Sequence, residues 1–201
     1  SELLTPGALQ FGLNYALDLD LRFHRRTIAA KMTDVPGYTQ AIIPLLAEAG
    51  ITYLHLGVNE ASTAPDVPPL FRWRLREAEI IVNYSPGGYG NEYWCAPLDE
   101  LLVFCHAADN CAPPDAALVH ATVATYQGRY PDAEVSASTL DQFAARVAGI
   151  RHLLPVIDGE IGDTWNHGLA TDPGKVSRYL RLMRLLAKEV SAGRLSAASE
   201  T

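Results

Sequence analysis

The run Thr39–Gly57 constrains the fold more than any other stretch of the chain. An amphipathic segment from Thr39 to Ala49 stops at Gly50, the residue type that most readily takes the left-handed conformation ending a helix. The apolar run Ile51–Gly57 (ITYLHLG) begins directly behind it, and a shorter apolar run, Thr27–Met32, stands ahead of it. Strand, helix and strand joined by such short links read as a βαβ unit, whose two strands lie parallel.

The rest of the chain continues this alternation. Thr5-Pro6 opens a helix to about Leu21, with Leu9, Phe11, Leu13, Ala16 and Leu17 forming its apolar stripe. Further strands are predicted at Phe71–Trp73, Glu79–Tyr84, Leu101–Cys105, Ala133–Ser136 and Leu153–Ile157. Further helices are predicted at Asp115–Tyr130, from a capping box at Ser138-Thr139-Leu140-Asp141 to Gly149, and from about Asp172 to Val190. The residues after 190 read as a fraying tail. Asn59–Pro69 is a long, polar, proline-rich connection and a candidate binding loop, and Ser85–Asn91 is rich in glycine. With no internal repeat and no linker composition, the expectation is one α/β domain built on a largely parallel sheet.

Composition narrows the partners. The 201 residues are 48% hydrophobic and 19% charged, which is globular, and the net charge of −7 opposes phosphate-backbone binding. No apolar run reaches the length of a membrane span, and the N-terminus has no signal-peptide pattern. The expectation is therefore no nucleic-acid and no membrane partner. Cys95, Cys105 and Cys111 are odd in number and show no zinc-ligand spacing, which favours a reduced, cytoplasmic setting.

Polar residues gather just past the predicted strands. Asp34 follows the first, Asn59 and Glu60 the second, and His106 and Asp109 follow Leu101–Cys105. Asp158, Glu160, Asp163 and His167 follow the last. Carboxyl ends of parallel strands share one side of a sheet, where ligands bind and chemistry occurs. Paired carboxylates suit retaining glycoside hydrolysis, and carboxylate with imidazole suits a divalent metal. The bland readings stand beside these. Asp34 serves equally as a helix cap, His55 as a core or sheet-face histidine, and Trp73, Trp94 and Trp165 as packing residues or as platforms for a sugar ring. Glu160–Gly168, with its charged residues, Trp165 and two glycines, makes a poor core and a plausible site wall.

On these residues the chain resembles a known family. Thr33–Thr39 (TDVPGYT) resembles the Asp-Pro-Phe-Gly-His-Ser motif of glycoside hydrolase family 38, the α-mannosidases. Ile43–Gly57 resembles the helix and strand that follow that motif, and Glu160–Arg181 resembles a later segment of the family. Lys31–Gly37, Asp66–Trp73 and Glu160–Trp165 more closely resemble segments of a related group, the domain of unknown function family 5054. The likeness covers most of residues 8–190.

The resemblance implies a seven-stranded (β/α) barrel, a retaining mechanism and a zinc cofactor. Asp34 would be both nucleophile and zinc ligand, and Asp109 the general acid/base. Trp73, Trp165, Glu160, Asp163 and His167 would contact the carbohydrate substrate. The family's metal site also draws on a His-x-Asp pair and a later histidine that this sequence does not contain, and Tyr38 stands where the family motif has His. The expectation is thus part of a larger enzyme, partnered by the remainder of that enzyme, with an incomplete zinc site and little activity alone. Two other readings remain open, an inactive carbohydrate-binding or scaffold domain and a metal-dependent sugar deacetylase.

Overall fold

The computed structural model describes residues 5–34, 39–107, 111–162 and 172–195. Helix α1 (Pro6–Phe23) starts where Thr5 accepts the Ala8 N–H and Pro6 fills the first turn. It ends at His24, which turns left-handed at φ 51°. The Asp20 carboxylate then accepts the Thr27 N–H at 2.6 Å and the Thr27 hydroxyl at 2.7 Å, fixing the turn into strand β1 (Ala29–Thr33). Helix α2 (Ile42–Glu48) and strand β2 (Tyr53–Gly57) complete the βαβ unit, with Gly50 at φ 82° in the link between them.

Strands β3 (Leu70–Leu75), β4 (Ala78–Ser85) and β7 (Val156–Ile157) extend this unit into a five-stranded sheet of order β1-β2-β4-β3-β7. The pairs β1–β2, β2–β4 and β3–β7 are parallel, so the sheet is mostly parallel within a mixed α/β fold. The exception is β3–β4, an antiparallel hairpin closed by Arg76-Glu77 with Arg76 at φ 55°.

Both faces of the sheet are covered, which is why β2 is buried along its whole length. Alternation sends Leu54, Leu56, Phe71, Trp73, Ile80 and Val82 to the face packed by Ile42, Ile43 and Leu46 of α2. The opposite face presents Tyr53, Leu70 and Ile81 to Phe143, Ala144 and Val147 of helix α4 (Leu140–Gly149). The predicted capping box starts α4: Thr139 accepts from the Gln142 N–H, and the Gln142 side chain accepts in return from the Thr139 N–H. Asp141 on its first turn accepts the Ile28 and Ala29 N–H groups at 2.8 and 2.9 Å, binding the helix to the start of β1.

Three predicted strands differ in the structure. The Leu101–Cys105 run supplies only β6 (Glu100–Leu102), which pairs antiparallel with β5 (Tyr93–Cys95) in a separate two-stranded sheet. A 3-10 turn at Ala96–Leu98 and left-handed Asp99 (φ 54°) fold this segment back on itself, so it pairs locally. Ala133–Ser136 forms no strand, because it lies largely in solvent and offers one branched apolar side chain, Val135, to bury. The last strand shrinks to Val156–Ile157 because Arg151–Leu153 coils into a 3-10 turn ahead of Pro155. Helix α3 (Ala116–Arg129) and helix α5 (Pro173–Ser191) form where predicted, capped by Asp115 and Asp172. All three cysteines are free, and no helix among the described residues is long and apolar enough to cross a membrane.

Candidate functional site

The carboxyl ends of β1, β2 and β4 come together with three connecting segments. Asp34 leaves β1 in the left-handed region at φ 51°, while its N–H still donates to Gly57 O at 3.1 Å. Asp tolerates this conformation better than most residues, and such outliers concentrate at functional positions. The carboxylate is exposed at the end of the strand.

Gly57, facing Thr33 across the β1–β2 pair, is required by a close backbone approach. A Cβ there would lie 2.7 Å from Tyr89 Cα and 2.9 Å from Gly88 O. The glycine-rich loop therefore lies directly on the end of β2. A bridge between Val58 and Gly88 and an Asn59 Nδ2–H bond to the Tyr89 hydroxyl at 3.0 Å hold it there.

One step back along the strands, the register sets Lys31 beside His55 and His55 beside Asn83. The Lys31 ammonium donates to His55 Nδ1 at 3.0 Å and to the carbonyl of Tyr89, and sits 4.4 Å from the centre of the Phe104 ring. Phe104 also meets the His55 ring, with centroids 4.6 Å apart. Burial lowers the Lys31 pKa to about 8. Burial first, then the Lys31 charge, lowers that of His55 to about 3, so the imidazole is neutral. With Nδ1 accepting from Lys31, the His55 proton belongs on Nε2. That Nε2, Asn83 Oδ1 and Ser85 Oγ are buried and have no hydrogen-bond partner among the described residues.

The segment after β7 reaches the same side of the fold. Glu160 accepts the Thr39 hydroxyl at 3.0 Å and the Gln40 N–H at 2.7 Å, tying it to the stretch that follows Asp34. Its role there is to hold two loops together. Asp158 is engaged by Arg74 through two bonds of 2.8 and 2.7 Å, and those bonds hold its carboxyl below its ordinary pKa.

Trp73 is corrected from a substrate platform to a core residue. It is 0% exposed on the α2 face, and its indole N–H donates to Gly159 O at 2.8 Å, leaving no ring face open to a sugar. His106 lies over the glycine-rich loop, where a Cβ on Gly90 would meet its Nε2 at 3.2 Å. Asp109, Asp163, Trp165, His167 and Tyr38 lie outside the described residues. Among the described residues no group of three or more His, Cys, Asp or Glu gathers to hold a metal.

Sequence reasoning singled out Asp34 and Glu160, but missed Lys31, Asn83, Ser85, Tyr89 and Phe104. A lysine inside the apolar run Ile28–Met32 was the available signal, since mid-strand lysine is disfavoured without a local reason. Compared with known proteins, the chain matches no protein-family model and no curated protein.

Proposed function

We propose that the chain is a glycosidase-like α/β domain, related to the α-mannosidases, that acts on an α-linked sugar with retention at the carboxyl end of its parallel strands. The mostly parallel sheet would then be part of a seven-stranded (β/α) barrel. The observation carrying this reading is the contact of Glu160 with Thr39 and Gln40, which joins two of the segments that resemble family 38. The exposed carboxylate of Asp34, turned out of β1 at φ 51°, supports it further.

In this reading Asp34 attacks the anomeric carbon as the bond from that carbon to the leaving oxygen breaks. Asp109 gives its proton to the leaving oxygen. It then takes a proton from the water that attacks the same carbon and frees Asp34. Two displacements at one carbon return the starting configuration, with carboxyl groups about 5 Å apart. Zinc, which the resemblance implies, would be held in part by Asp34 and would assist the reaction, while the steps above are carried by the two carboxyl groups.

Asp34→Asn keeps the size and turn geometry of the side chain but removes the nucleophile. Turnover of an aryl α-mannoside by the whole enzyme of which this domain would be part should fall by about 10³-fold or more, with the circular dichroism spectrum unchanged. Equal turnover by the variant would remove the nucleophile assignment. Sugar binding with no turnover by the whole enzyme of which this domain would be part, and not only by this chain, would make the domain a carbohydrate-binding module instead.

A further inference from the structure

We propose that Lys31, with His55 and Phe104, forms a subsite for a carboxylate-bearing sugar, a uronic acid, beside the Asp34 end of β1. This inference rests on the carbohydrate reading of the site and names its substrate class. An ammonium has three N–H donors, and Lys31 directs bonds to two neutral acceptors, Tyr89 O and His55 Nδ1, with the neutral ring of Phe104 alongside. None of the ion pairs among the described residues involves Lys31. Partial burial of a cation against neutral groups is unfavourable, which its lowered pKa of about 8 reflects. Lys31 nevertheless keeps part of its surface in solvent and so is open to an anion.

A second, independent observation points to the same face. His55, Asn83 and Ser85 are 0%, 1% and 7% exposed, yet each carries a polar atom with no partner among the described residues. The strand register puts these three side chains and Lys31 on one face of the sheet. Buried polar atoms left unpaired in a folded protein call for a further partner, such as an ordered water or a ligand. These atoms are closed to direct contact, so the hydroxyls of a sugar would meet them through ordered waters, which supply both donors and acceptors. Its carboxylate supplies the charge that Lys31 lacks. A plain anion would satisfy only the lysine.

Calorimetric titration of the chain with mannuronate, methyl α-mannoside and inorganic phosphate tests this. Mannuronate should bind at least about tenfold more tightly than methyl α-mannoside, as a charge-assisted hydrogen bond predicts. Lys31→Met should erase that preference and Lys31→Arg should keep most of it. If wild type binds both sugars equally, the Lys31 assignment is overturned while the carbohydrate reading stands. If phosphate binds as well as mannuronate and methyl α-mannoside does not bind, the subsite recognises an anion alone and the sugar assignment is overturned. The wild-type comparison decides the matter even if Lys31→Met fails to fold.

Discussion

Replacing Trp73 with alanine is expected to destabilise the fold by about 3–5 kcal/mol, the range for removing a large buried aromatic side chain. Trp73 is fully buried on the α2 face of the sheet, clustered with Ile42, Ile43, Leu46, Phe71 and Ile80. Truncation opens a cavity in that layer and also strips Gly159 O of its indole donor. Domains of this size are commonly stable by only about 5–15 kcal/mol, so a substantial fraction is lost. Gly159 precedes Glu160, and the cavity therefore also loosens the segment that reaches Thr39 and Gln40. Trp73→Phe keeps much of the volume and loses the hydrogen bond, so its cost should be clearly smaller. Urea-unfolding midpoints at constant slope measure both. A loss below about 1 kcal/mol for Trp73→Ala would mean that the residue is not the core element described, since buried large-to-small changes cost more than that.

Acid should destabilise the fold through His55. Its folded pKa is lowered from 6.5 to about 3, so between those values the unfolded chain holds a proton that the folded chain does not. Stability attached to this group is present above pH 6.5 and is lost as pH falls toward 3, with a slope of up to about 1.4 kcal/mol per pH unit. Lys31 acts in the same direction in a higher window. Its pKa is lowered from 10.5 to about 8, so stability rises as pH climbs between those values. His55→Gln preserves an acceptor for the Lys31 ammonium and removes the imidazole. Urea unfolding of wild type and variant at pH 4.5 to 7.5 should show a steeper acid loss in wild type. Parallel curves would mean that His55 titrates normally.

The elements that could be read in the sequence are those whose determinants are local. Thr5-Pro6, Gly50, Asp115, the Thr139–Gln142 box and Asp172-Pro173 act within a turn of the residues they cap, and the helices begin and end beside them. The β3–β4 hairpin was hidden because its turn, Arg76-Glu77, contains neither Gly nor Asn, and Arg76 adopts φ 55° regardless. Leu101–Cys105 has the apolar run of a buried strand, but the left-handed turn at Asp99 delivers it to β5 instead of the main sheet. The site shows the same division. Asp34 was visible from the strand, acid and turn that surround it. The Lys31–His55–Asn83 row exists only through the register of three strands separated by more than twenty residues at each step, which no local pattern encodes. Trp73 shows the limit for a single residue, because core packing and ligand stacking ask for the same side chain.

The proposed function requires a sugar to bind at the carboxyl ends of β1 and β2. An amide-resolved NMR titration of the chain with methyl α-mannoside tests it most directly, because it needs neither turnover nor a variant. Saturable shifts should centre on Thr33, Asp34, Gln40, Gly57 and the Gly88–Tyr89 loop. Saturable shifts confined to α3 or to the Arg76-Glu77 turn, or no shifts at saturating sugar, would contradict it.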